Sequence, residues 1–139
     1  MASTLNPYLH FRDTAKAAME FYQAAFGGDL NIMTFAENGD PYPGEGDKVM
    51  HAQLETPSGF TLMGSDTPNS MDHAAGTNHI SISLSGRKSD DAELRGYWDK
   101  LSAGGNVTQA LETAPWGDTF GYFTDKFGVD WLLNISSDD

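Results

Sequence analysis

The chain has 139 residues, 39% of them hydrophobic, with 3 Trp, 8 Phe and 5 Tyr. That suffices for one compact domain or for two small modules sharing a core. Acidic residues number 20 against 8 basic ones, a formal net charge of -12, which repels phosphate backbones and anionic lipids and argues against nucleic-acid and membrane binding. There are no cysteines, so disulfides, Fe–S clusters and thiol catalysis are excluded. No apolar run approaches the roughly 18 residues of a membrane span. Residues 1–12 show no basic region followed by an apolar stretch, so no secretion signal is expected and a cytoplasmic location is.

In chain order, a first strand is predicted over residues 6–12, where Pro7, Leu9 and Phe11 alternate with Asn6, Tyr8, His10 and Arg12. A helix follows over 14–26, with Asp13 or Thr14 as its expected cap and Ala18, Phe21, Tyr22 and Ala25 as its buried stripe. Gly27-Gly28 ends it. Three more strands are expected over 30–37, 48–55 and 59–64, the last two joined by a turn at Pro57-Ser58-Gly59. In the second of these, alternation places Val49, His51, Gln53 and Glu55 on one face.

The second half repeats this grammar. A strand over 77–84 alternates Ile80, Ile82 and Leu84 with His79, Ser81 and Ser83. A helix over 90–103 carries the stripe Leu94, Tyr97, Trp98 and Leu101, with Asp90 and Glu93 at capping-box spacing and Ser89 competing as cap. Gly104-Gly105 closes it, and strands follow over 106–113, 120–124 and 128–135. The Gly-Gly helix ends lie 77 positions apart, and Gly59 and Gly128 lie 69 apart. Residues 5–65 and 77–136 thus read as two modules of one domain spanning 1–139, with 66–76 as linker. The repeat lies in the order of elements rather than in side-chain identity.

Several segments resemble the vicinal-oxygen-chelate superfamily of glyoxalases, bleomycin-resistance proteins and extradiol dioxygenases, and within it the PhnB-like branch. They are Pro7-Tyr8-Leu9-His10-Phe11, Glu20-Phe21-Tyr22, Met50-His51-Ala52-Gln53-Leu54, His79-Ile80-Ser81-Ile82, Pro115-Trp116-Gly117 and Asp125-Lys126-Phe127-Gly128-Val129-Asp130-Trp131. The resemblance covers nearly the whole chain. It implies an α+β fold of two tandem βαβββ modules forming a curled mixed sheet around a cleft, and a homodimer, which would also add core to so small a chain. Metal-dependent glyoxalases of this superfamily take one ligand from the first and one from the last strand of each module. Carried over by position, these fall on His79, Leu132, Met63 and Asn6 or Pro7, of which only His79 is a good ligand for a divalent metal.

The remaining chemistry rests on strand faces opposite the apolar ones. His10, His51, His79 and Glu55 are candidate ligands of a relocated divalent-metal site. His10 or His79 is a candidate general base, with Glu55 or Asp130 as its orienting carboxylate. The plainer alternative is that these histidines only hydrogen-bond within a polar cleft or near a dimer seam. Tyr8, His10, His51, Gln53, His79, Trp116 and Tyr122 are the candidate contacts of a small-molecule ligand, with aromatic walls and sparse polar anchors. The expected function is small-molecule binding of unassigned specificity. The alternatives are a metal-dependent lyase or isomerase and a non-catalytic sequestering protein. No nucleophile elbow, Walker sequence or dinucleotide fingerprint is present.

Overall fold

The computed structural model describes residues 4–71, 73 and 80–139. His79 and the start of the strand expected over 77–84 lie outside the described residues. The chain divides into two compact units, Met1–Ala75 and Gly76–Asp139.

The first unit runs β1 (Tyr8–Phe11), α1 (Ala15–Phe26), β2 (Asp29–Thr34), a 3-10 turn (Ala36–Asn38), β3 (Val49–Glu55) and β4 (Thr61–Asp66). Its sheet has the order β1-β4-β3-β2, with β1 parallel to β4 and the other pairs antiparallel. Helix α1 packs on β2, β3 and β4. It buries Ala15, Ala18, Met19, Tyr22, Ala25 and Phe26, while Phe11, Ala52, Leu54 and Leu62 are buried on the strands. Phe21, expected in the stripe, is half-buried.

Neither Asp13 nor Thr14 caps α1 through its side chain. The carboxylate of Asp66, at the end of β4 and 5% exposed, takes that place. It accepts Ala15 N–H at 2.9 Å through Oδ1 and Val49 N–H at 2.9 Å through Oδ2. Val49 also departs from simple alternation. Met33 pairs with His51 and Thr34 with Val49, which leaves Met50 as a bulge. The slip turns Val49 into the core, where it is 2% exposed, and away from the face of His51 and Gln53.

The second unit runs β5 (Ile82–Gly86), a 3-10 turn (Lys88–Asp90), α2 (Asp91–Ser102), β6 (Asn106–Thr113), β7 (Thr119–Thr124) and β8 (Asp130–Ile135), with sheet order β5-β8-β7-β6. Leu94, Tyr97 and Leu101 are buried on α2, and Trp98 meets Phe123 edge-on at 4.9 Å. The expected pairing of Asp90 with Glu93 does not form. Asp90 accepts from Arg87 N–H at 2.9 Å, and Glu93 accepts from the Tyr97 hydroxyl at 2.7 Å.

The repeat is visible bond by bond. Thr56 N–H donates to Phe60 O at 3.0 Å, and Gly59 N–H to Thr56 O at 3.0 Å. In the second unit Asp125 N–H donates to Val129 O at 2.8 Å, and Gly128 N–H to Asp125 O at 3.0 Å. Both helix ends are pressed onto the end of a strand. A Cβ on Gly28 would lie 2.1 Å from Glu55 O, and one on Gly105 would lie 2.2 Å from Thr124 O.

One expectation is overturned. The strands form two open four-stranded sheets, and neither is strongly curled or closed around a cleft. In each unit the first strand joins the last at one edge and the second strand forms the other. Four strands also fall well short of the roughly eight that closure needs.

Three substitutions test these roles. Asp66→Ala orphans two buried N–H groups and should cost about 2–4 kcal/mol. Gly28→Ala and Gly105→Ala should each cost about 1–3 kcal/mol through backbone displacement. Urea unfolding measures all three, and unchanged midpoints would contradict the roles assigned.

Candidate functional site

The open face of the first sheet gathers five of the candidate residues. Tyr8 and His10 come from β1, and His51, Gln53 and Glu55 from β3. The pairings Tyr8 with Met63, Gln53 with Met63 and Glu55 with Thr61 set them on one surface across β4. On β4 the residues of that surface include Met63 and Ser65, while Gly64 turns to the core, where a Cβ would meet Met19 and Phe11.

A continuous line of hydrogen bonds crosses this face. Gln53 Nε2 donates to Glu55 Oε2 at 3.0 Å, which leaves Gln53 Oε1 to accept from His51 Nε2–H at 3.2 Å. His51 Nδ1 then accepts from the Tyr8 hydroxyl at 3.1 Å. Glu55 receives a second donor from the other side, the Thr61 hydroxyl. The Thr61 and Gln53 bonds hold the Glu55 carboxyl below its ordinary value, because both favour the ionised form. The ring of Tyr8 lies 5.3 Å from that of His10 and 5.6 Å from that of His51, tilted by 37° and 39°.

The second unit places its candidates differently. Tyr122 shares a hydrogen bond with Ser81 Oγ at 3.1 Å. Asp130, 8% exposed, accepts from Thr124 Oγ1 at 2.6 Å, so its carboxylate is committed within its own sheet. Trp116 is 63% exposed and meets Phe120 at 5.8 Å with planes 63° apart. It sits on a turn closed by Ala114 N–H to Asp118 O at 2.7 Å and Gly117 N–H to Ala114 O at 2.9 Å. Asp118 anchors that turn, accepting from Asn134 Nδ2 at 3.2 Å and Ser137 N–H at 3.1 Å, and these bonds lower its pKa. Beside the turn lies a groove of about 270 Å³, lined by Gln109, Glu112, Thr113, Ala114, Pro115, Trp116 and Phe120.

A divalent metal does not fit the described residues. No three His, Cys, Asp or Glu side chains are grouped to hold one among them. Both ring nitrogens of His51 are engaged by neighbours. Met63 and Leu132 stand at equivalent pairings, opposite Tyr8 and Ser83, and neither is a suitable donor. The same equivalence makes Asn6 the counterpart of Ser81 rather than of His79, which lies outside the described residues.

Sequence reasoning missed Thr61, Glu112 and Asp118. Thr61 was legible as the residue two beyond Gly59, opposite Glu55. Asp118 follows Pro115-Trp116-Gly117, but the partners of its side chain, Asn134 and Ser137, lie far along the chain, so no local spacing marks its role.

Two mixed sheets, each backed by one helix in strand–helix–strand–strand–strand order, define a vicinal-oxygen-chelate protein. A family model described as 3-demethylubiquinone-9 3-methyltransferase matches residues 3–134. The chain belongs to that family, a PhnB-like branch of the superfamily. Protein PA1353 of Pseudomonas aeruginosa is 34% identical over 97% of this chain and 98% of its own, with a TM-score of 0.85. A Bacillus cereus PhnB protein, described as a putative 3-demethylubiquinone-9 3-methyltransferase, is 27% identical over 96% and 100%, with a TM-score of 0.76. A glyoxylase/bleomycin resistance protein/dioxygenase domain from Frankia shares the fold at a TM-score of 0.60 and 16% identity, over 98% of this chain and 93% of its own. No helix among the described residues is long and apolar enough to cross a membrane.

The Glu55 bonds give a test. Its carboxyl should titrate below the ordinary glutamate value, and Thr61→Val should raise the midpoint, as followed by NMR. Because the folded value is depressed, the contribution to stability is present at neutral pH and lost as pH falls through that value. An unchanged midpoint in Thr61→Val would contradict the assignment.

Proposed function

We propose that this protein binds a small organic molecule on the open face of its first sheet, without a metal ion, through Tyr8, His10, His51, Gln53 and Glu55. The observation that carries this is the unbroken hydrogen-bond line from Tyr8 through His51 and Gln53 to Glu55. It orients two rings before any ligand arrives, so less side-chain freedom is lost on binding. The Tyr8 oxygen keeps a lone pair for a ligand hydroxyl or N–H. Tyr8, 40% exposed, also offers a tilted aromatic surface between two imidazoles.

Binding, as in a sequestering protein, is the part the geometry supports. The lyase or isomerase alternative needs a metal that the described donors do not group to hold. Methyl transfer, named in the family model's description, is not carried over. Gly27-Gly28 and Gly104-Gly105 close helices rather than open them, so they build no glycine-rich cradle for a nucleotide-like methyl donor. The homodimer belongs to the same proposal. Met71, Ile80 and Val107 are large apolar side chains left 53%, 80% and 46% exposed, surface that pairing would cover. Light scattering should give twice the chain mass of 15.1 kDa, and a monomer mass would refute it.

A thermal-shift panel of hydroxybenzoic acids, hydroxyquinolines and purines tests the binding face. A ligand at a hundred times its Kd stabilises by about 2.7 kcal/mol, a rise in Tm of about 5–10 °C for a chain this size. The rise should vanish in the Tyr8→Phe/His51→Ala double variant. No rise with any compound, or an equal rise in the variant, would overturn the proposal.

A further inference from the structure

We propose that the groove beside the β6–β7 turn is a second binding site, which takes the methylated ammonium group of a small molecule. Three observations converge there. First, Trp116 is exposed but held. The Ala114–Asp118 and Gly117–Ala114 bonds close its turn, Asp118 ties the turn to Asn134 and Ser137, and Phe120 packs against the indole. An indole held in place with 63% of its surface in water regains burial when a ligand covers it. Second, the rings of Trp116 and Phe120 stand 63° apart, which makes two aromatic walls of a corner. Third, Glu112 is the register partner of Phe120 and the one charged side chain among the seven that line the groove.

Two ring faces and a carboxylate attract a compact cation and repel an anion. Ring faces favour a cation whose charge is spread over methyl groups, because it gives up little hydration on leaving water. A volume of about 270 Å³ suits such a head group rather than a large ligand. Nothing in this corner depends on Tyr8 or His51, so the proposal stands apart from the first-sheet site.

The test titrates the full chain with choline at constant ionic strength and follows the indole N–H signals of the 3 Trp residues by NMR. Only the signal removed by Trp116→Phe should move. The neutral isostere 3,3-dimethylbutan-1-ol should bind about tenfold more weakly, and Trp116→Ala should weaken choline by about tenfold. Glu112→Gln should weaken choline and leave the isostere unchanged. Tyr8→Phe should change neither, so loss of the first-sheet reading would leave this one standing. A groove that binds the isostere as well as choline, an unmoved Trp116 signal, or unchanged binding in Trp116→Ala would overturn the proposal.

Discussion

A single buried carboxylate organises the first unit. Asp66 ends β4 and faces two backbone N–H groups that have no partner in a helix or ladder, one opening α1 and one opening β3. An ionised acceptor in a water-poor site makes stronger hydrogen bonds than a neutral one. The sheet thereby fixes where the helix starts, and the bulge at Met50 is held at the same point. The residues that follow the bulge, His51, Gln53 and Glu55, are turned together to the open face.

The second unit solves a similar problem elsewhere. Asp125, 3% exposed, sits in the turn before β8 and accepts Phe127 N–H at 2.8 Å, Val129 N–H at 3.1 Å and Trp131 Nε1–H at 2.9 Å. Trp131 is thereby fixed in the core, stacked on Phe123 at 6.5 Å. The two halves share backbone geometry, yet each uses its buried acid at a different joint. Their open faces differ in the same way. One is a polar line between rings, and the other carries an apolar corner beside a bulged edge strand.

Much of the fold was legible. The element order followed from alternation and helical spacing, and β6 falls on residues 106–113 as expected. Helix boundaries followed from the paired glycines. The acid that starts α1 was not legible, because Asp66 lies 51 residues from Ala15 and no local spacing links them. Val49 was misplaced for a related reason. A bulge depends on the partner strand, and alternation within one strand cannot reveal it. The curl around a cleft came from family likeness and not from any residue, and hydrogen-bonding order corrected it. Of the site, the shared face of Tyr8, His10, His51, Gln53 and Glu55 was readable from period-two alternation. The bonds joining them depend on side-chain reach across Met63, and Thr61 completed the line unseen.

The line of donors on the first sheet has a direction. Each group from Tyr8 to Gln53 gives its proton toward Glu55, and Thr61 gives from the far end, so the carboxylate is the sink for both. Aligned dipoles of this kind polarise one another. A ligand that drew the Tyr8 hydroxyl away would take the donor from His51 Nδ1 and leave that lone pair to water or to the ligand itself. The charged end of the face is thereby joined to its aromatic end through consecutive side-chain hydrogen bonds.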